Sequence, residues 1–201
     1  MQTVLRSLPF GPLVIAWHEG VLEPRPWTAA QSRWAAALAA DLPAGPLLEL
    51  CSGAGHIGLL AAHLSQRPVV CVDVSPAACA LTRLNAEAAG VTVDVREGPM
   101  DAVLAADERF GLVIADPPWV TTQEVSAHPA DPVLAIDGGD DGLAVARLCL
   151  AVAEAHLGPD GFLLLQLGDE AQAAALAAET VLSLEEVRRE ERGVLALWQR
   201  V

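Results

Sequence analysis

The chain has 201 residues, 53 % of them hydrophobic and 4 % aromatic, with a formal net charge of -14 and arginine at all 12 basic positions. This suits one α/β domain over residues 1–201 with a substantial core, and the apolar content argues against disorder. The acidic balance repels phosphate backbones, so an extended nucleic-acid footprint is disfavoured unless arginines cluster locally.

Residues 3–22 read as an irregular lead-in with one short apolar piece, LVIAW. Pro9, Gly11 and Pro12 break it, which makes a poor signal peptide. Pro24 and Pro26 flank Arg25 and hold the segment Val21–Trp27 extended. Thr28 then caps a helix from Ala29 to about Ala40. The chain divides into this lead-in and helix, residues 1–45, and a ligand-binding core, residues 46–201.

The core opens on LLELCSGAGHIGLL, Leu47 to Leu60. A buried strand, Leu47–Cys51, runs into a turn of small residues, Cys51, Ser52, Gly53, Ala54 and Gly55, and a helix follows from His56 to Leu64. Strand, glycine turn and helix bring backbone N–H groups and a helix N-terminus up to a ligand. Gly53, Gly55 and Gly58 spell the dinucleotide fingerprint G-x-G-x-x-G, a weak signal in a chain rich in Gly and Ala. Glu49 points elsewhere. A carboxylate two residues before the turn repels a pyrophosphate and suits the amino and sulfonium groups of S-adenosylmethionine. Asp73 ends the second strand, VVCVDV, where a carboxylate accepts from both hydroxyls of a ribose.

Ser75 and Pro76 start the next helix, and Gly90 stops it. An alternating strand, VTVDVRE, leads to Pro99 and Met100. Asp101 either meets the ligand or caps a further helix. The apolar run LVIA then enters Asp116-Pro117-Pro118-Trp119. The loop Thr121–Asp141 is long enough to serve as a lid. A helix from about Gly142 to His156, a PDGF turn, the strand FLLLQL and a helix over Asp169–Glu179 follow. Two last strands, near Val181–Val187 and Val194–Arg200, form a hairpin across Arg192-Gly193. Arg188, Arg189 and Arg192, interleaved with Glu185, Glu186, Glu190 and Glu191, read as a solvated ion-pair face.

A parallel sheet carries its ligand at the carboxyl ends of its strands, which brings Gly53, Asp73 and Asp116 to one crevice. The two prolines lack N–H groups and fix φ, so the Pro117 carbonyl is held as an acceptor beside the Asp116 carboxylate. Together they accept both protons of an amino group and aim its lone pair. Such alignment is worth up to roughly 7–11 kcal/mol in ideal intramolecular cases. Trp119 offers a flat face to a planar substrate.

On these motifs the chain resembles the class I S-adenosylmethionine-dependent methyltransferases, and within them the HemK-like glutamine side-chain N-methyltransferases. ELCSGAGHIGL is similar to their glycine motif, Asp73 to their post-motif acid and Asp116-Pro117-Pro118-Trp119 to their Asn-Pro-Pro-Tyr. VLEPRPWT and DPVLAIDGGDDGL are similar to the segments before the first strand and after the catalytic loop. The resemblance implies an α/β, Rossmann-like fold: a seven-stranded, mostly parallel sheet with a C-terminal antiparallel hairpin and helices on both faces. It implies S-adenosylmethionine at Glu49, Cys51, Ser52, Gly53, Gly55, Asp73, Val74, Pro99, Met100 and Asp116. The catalytic group is Asp116, Pro117, Pro118 and Trp119, with Arg25, Trp119 and Asp137 toward the substrate. The expected reaction is methylation of an amide or amino nitrogen, with a protein glutamine as a candidate acceptor.

Two departures keep alternatives open. Asp116 stands where the family has Asn, and an ionised carboxylate accepts but does not donate. The resemblance starts only near Val21, so a counterpart of the family's N-terminal helical domain, which grips release factors, is not expected here. An exocyclic base amine in RNA or DNA, a small-molecule amine, and a non-catalytic cofactor-binding subunit are the rivals. The five histidines read as bystanders, though His56 and His128 fall near the site. The four cysteines show no metal-ligand spacing, no metal is expected, and a reduced, cytoplasmic chain follows. No run reaches membrane-spanning length.

Overall fold

The computed structural model describes residues 4–200; Thr3, the first residue of the expected lead-in, lies outside them. That lead-in is a hairpin rather than an irregular segment. Strands β1 (Arg6–Phe10) and β2 (Leu13–Trp17) pair antiparallel across Gly11-Pro12. Gly11 adopts φ 59°, as a two-residue hairpin turn demands, so two of the residues read as breakers, Gly11 and Pro12, make the turn itself, while Pro9 lies in β1 opposite Val14. Phe10, Leu13, Ile15 and Trp17 are buried. The Asn85 amide accepts from Ala16 N–H at 2.7 Å and donates to the Ala16 and Ala54 carbonyls at 2.9 and 2.8 Å. One side chain thus ties the hairpin to the glycine turn.

The main sheet contains β3 (Leu47–Leu50), β4 (Val69–Asp73), β5 (Val93–Glu97), β6 (Phe110–Ala115), β7 (Leu157–Leu167), β8 (Ser183–Arg189) and β9 (Val194–Gln199). Their order is β5-β4-β3-β6-β7-β9-β8, with β9 antiparallel to both neighbours and the first five strands parallel. The connecting helices are α1 (Ala29–Ala40), α2 (His56–Ser65), α3 (Pro76–Ala89), the short α4 (Val133–Ile136), α5 (Ala144–His156) and α6 (Glu170–Ala177). The strand order reverses on the two sides of β3, which opens a crevice at its carboxyl end.

Alternation along the strands divides the core into two layers. Leu47, Cys71, Leu112, Ile114, Leu164 and Leu197 face α1, α2 and α3. Leu48, Leu50, Val72, Val113, Leu165 and Trp198 face α5 and α6. Both faces are covered, which is why these strands are almost wholly apolar.

Three local expectations change. Thr28 does not cap α1; it has helical φ and ψ, and its hydroxyl donates to the Arg25 carbonyl at 2.7 Å. The PDGF segment lies within β7, with Asp160 at φ 57° and a register shift opposite Phe110–Leu112. Asp101 caps no helix, because the segment after Pro99 forms a turn closed by Ala102 N–H on the Pro99 carbonyl. Ser75 and Asp169 do cap their helices, accepting from Ala78 and Gln172 N–H at 3.3 and 2.8 Å. No helix among the described residues is long and apolar enough to cross a membrane.

Gly58 lets α2 lie directly on β3: a Cβ there would strike the Glu49 carboxyl group. Gly58→Ala is expected to lower stability by about 1–3 kcal/mol, the usual cost of overpacking. Urea unfolding followed by circular dichroism measures it.

Candidate active site

The turn after β3 is left-handed at Cys51, Gly53 and Gly55, with φ of 58°, 55° and 77°. The two glycines serve different ends. A Cβ at Gly53 would project into open space, whereas one at Gly55 would lie 2.7 Å from the Thr82 methyl group. Gly53 therefore leaves the main chain open to a ligand, and Gly55 packs against α3. Only Gly53 of the pair lines the adjacent cavity.

That cavity measures about 270 Å³. Cys51, Ser52, Asp73, Val74, Pro99, Met100, Asp101 and Asp116 line it, with Leu134 and Leu148 as further apolar walls. The Asp73 carboxylate accepts from Gly53 N–H and Ser75 N–H, both at 2.8 Å, one on each oxygen. Each oxygen retains a lone pair for a further donor. Burial raises the Asp73 pKa, and the backbone donors oppose that shift. The Ser52 hydroxyl is buried without a partner among the described residues.

Glu49 lies elsewhere than its sequence position suggests. It is 2 % exposed and does not line the cavity. One carboxyl oxygen accepts from Gly58 N–H at 2.9 Å, and the other faces the Cys71 thiol at 3.2 Å. Burial pushes its pKa up to about 8, against the lowering effect of those two contacts. At neutral pH this side chain is largely protonated and holds the strand to α2.

A second cavity of about 240 Å³ lies on the other side of Asp116. Pro117, Trp119, Arg25, Trp27, His128 and Gln166 are among its walls. Asp116, Pro118, Leu22 and Ala135 line both cavities. The Asp116 carboxyl has no hydrogen-bond partner among the described residues, and burial alone raises its pKa to about 7. Gln31 holds the strand end behind it: its amide nitrogen donates to the Ala115 and Leu164 carbonyls at 2.9 and 3.1 Å. Trp119 is fixed from behind, its ring against Gly168 and its carbonyl accepting from the Gln172 amide at 3.2 Å.

Asp137 lines neither cavity. Its carboxylate accepts from the Thr122 hydroxyl at 2.7 Å and from Gly139 N–H at 2.9 Å, which lowers its pKa and pins the loop back on itself. The loop reaches the site instead through Asp131, Pro132, Leu134 and Ala135. Arg25 pairs with Asp131 at 2.7 Å, so the lead-in and the loop meet over the second cavity. His56 lines the first cavity, but burial lowers its pKa to about 3 and its ring packs edge-on against Phe10, so it is neutral and a weak base.

The sequence reading missed Leu22, Trp27, Gln166 and Arg192. Gln166 had a signal, as the one polar residue in the strand FLLLQL. Of the expected ion-pair face, Arg188 and Arg189 do pair, with Glu186 and Glu170, whereas Arg192 lines the second cavity. The hairpin turn swings it away from its glutamate neighbours.

The family described as methyltransferase small domain matches residues 34–135. The release factor glutamine methyltransferase of Mycolicibacterium smegmatis is 34 % identical over 90 % of this chain and 66 % of its own length. The ribosomal protein uL3 glutamine methyltransferase of Bradyrhizobium diazoefficiens is 39 % identical over 61 % of this chain. The chain spans only 40 % of that second relative's length. Among solved structures, an RNA methyltransferase from Salinibacter ruber, in complex with S-adenosyl-L-homocysteine, superposes with a TM-score of 0.59 at 17 % identity, over 89 % of this chain and 93 % of that one. At that identity the likeness concerns the fold alone.

The buried carboxyls set a pH dependence. Folded Glu49 keeps its proton to about pH 8, whereas the ordinary value is 4.5, so the folded state binds more protons between those values. Stability is then present at the acid end of that window and lost as pH rises through it. Asp73 and Asp116 add the same sign. The depressed His56 adds the opposite sign up to about pH 6.5, so the Tm of the unliganded chain is expected to fall chiefly from about pH 6.5 to about pH 8, and to fall less in Glu49→Gln, by scanning calorimetry.

Proposed function

The chain belongs to the methyltransferase small domain family, and from that footing we propose that it methylates a side-chain amide nitrogen of protein glutamine, with S-adenosylmethionine as donor. The observation that carries this reading is the placement of Asp116 and Pro118 in the walls of both cavities. A methyl group held in the first cavity and a nitrogen held in the second would meet at that junction.

The residues of the first cavity fit the cofactor. Asp73 has free lone pairs for a ribose diol, and Val74, Pro99, Met100, Leu134 and Leu148 offer apolar walls to a purine. Ser52 has a buried, unpartnered hydroxyl for a polar end group. Bound S-adenosylmethionine supplies an electrophilic methyl group on a positively charged sulfur.

This chain's own residues then act on the acceptor. Asp116 and the Pro117 carbonyl accept the two N–H protons of the nitrogen and turn its lone pair toward the junction. Trp119 gives the acceptor a rigid face. Ionised Asp116 also takes up the proton the nitrogen releases on alkylation, and a pKa near 7 suits that transfer. Glu49 acts at one remove, by fixing β3 to α2. The relatives named for glutamine substrates support a protein amide as acceptor. Asp116 itself favours a second reading, an amine acceptor, because a carboxylate offers no N–H to an amide carbonyl.

Labelled methyl transfer from S-adenosylmethionine into fractionated lysate tests both. Asp116→Ala is expected to lower the rate by about 100-fold or more, the usual worth of a placed proton acceptor; unchanged transfer would remove its role. Asp116→Asn keeps an N–H acceptor and removes the proton acceptor, so it is expected to lower transfer but less than Asp116→Ala does, and the lysate fraction that carries the label separates a protein amide from an amine. Asp73→Ala is expected to weaken S-adenosylhomocysteine binding by roughly 10- to 100-fold in calorimetric titration, as for a lost charge-assisted pair.

A further inference from the structure

The second cavity holds positive charge that methyl transfer does not require. Arg25 and Arg192 line it, and neither lines the first cavity. Their guanidinium carbons each lie 5.9 Å from the centre of the Trp27 ring. Arg25 has one carboxylate partner, Asp131, at 2.7 Å. Arg192 has none among the described residues, although the same hairpin pairs Arg188 and Arg189 with glutamates. Its backbone is held in place: the Arg192 carbonyl accepts from the Gln166 amide at 3.0 Å.

In a chain of net charge -14, two cations converging on one indole inside a cavity are set against the general field. Asp131 offsets one of them, and Asp116 lies at the shared end of the cavity. An arginine with no acidic partner, steadied on an aromatic face, presents its fork of donors to a planar or tetrahedral oxyanion.

We infer that the methyl acceptor carries an anionic group, a carboxylate or a phosphate, in the same molecule as the methylated nitrogen, and that Arg192 and Arg25 bind it beside Trp27. This deepens the methyl-transfer reading and rests on it. The nitrogen is held at Asp116 and the anion at the arginines of the same cavity, so two contacts fix the acceptor's orientation. An acceptor lacking the anion loses one of the two, and with it the alignment at the junction.

The test follows the indole N–H resonance of Trp27, assigned with Trp27→Phe, in isotope-labelled chain titrated with inorganic phosphate and separately with acetate. Each titration is run with and without S-adenosylhomocysteine. A saturable shift with either anion, weakened about tenfold or more in Arg192→Gln and unchanged in Arg189→Gln, is the expected result. Saturation by phosphate alone or by acetate alone supports the site and tells the two sources apart. No saturable shift, or the same affinity in Arg192→Gln, overturns it. Failure of S-adenosylhomocysteine to bind would overturn the cofactor reading separately, because the anion titration of the unliganded chain is read on its own.

Discussion

Three carboxyl groups share the low-dielectric ground at the carboxyl ends of neighbouring parallel strands: Glu49 in β3, Asp73 at the end of β4 and Asp116 just past β6. Each is pushed above its ordinary pKa, mainly by burial, and Glu49 also feels the negative charge of the other two. Such a cluster is costly in the empty protein, because desolvation and like-charge repulsion act in the same direction. It becomes favourable when a cation enters. On the proposed reading a sulfonium and an ammonium on one ligand would bring that charge to the cavity that Asp73 and Asp116 line, while Glu49 stays outside it.

The three groups meet this constraint in different ways. Glu49 retreats from the cavity and shares its oxygens with a backbone N–H and a thiol. Asp73 stays at the wall of the first cavity, held by two backbone donors, one on each oxygen. Asp116 has no donor among the described residues and lines both cavities, so its contacts are the least committed of the three. The glycines follow from these choices: Gly58 makes room for the Glu49 carboxyl, and Gly53 opens the main chain beside Asp73.

The second cavity is assembled from distant parts of the chain. The lead-in supplies Leu22, Arg25 and Trp27, the loop supplies His128 and Asp131, and the terminal hairpin supplies Arg192. The Arg25–Asp131 pair links the first two over the opening. Its side chains remain 31 % and 20 % exposed, so the pair contributes modestly to stability. Its worth lies in geometry, since it joins two walls of the second cavity.

Much of this architecture was legible in the amino-acid order alone. Apolar runs bounded by Ser-Pro, glycine and Asp marked the strands and helix ends, because periodicity and capping are local physics. The turn Cys51–Gly55, Asp73 and the Asp116-Pro117-Pro118-Trp119 segment could be placed at one crevice, because parallel strands deliver their carboxyl ends to one edge. Burial was not legible. Glu49 and Asp73 are both acids at strand ends, yet one is sealed under α2 and the other lines the first cavity; only packing of the helix against β3 decides between them. Nor could local pattern show that Gly11 turns a hairpin, that Asp137 pins its own loop, or that Arg192 leaves the glutamates beside it for Trp27. Those outcomes depend on contacts between residues far apart in the chain, which tertiary structure alone brings within reach.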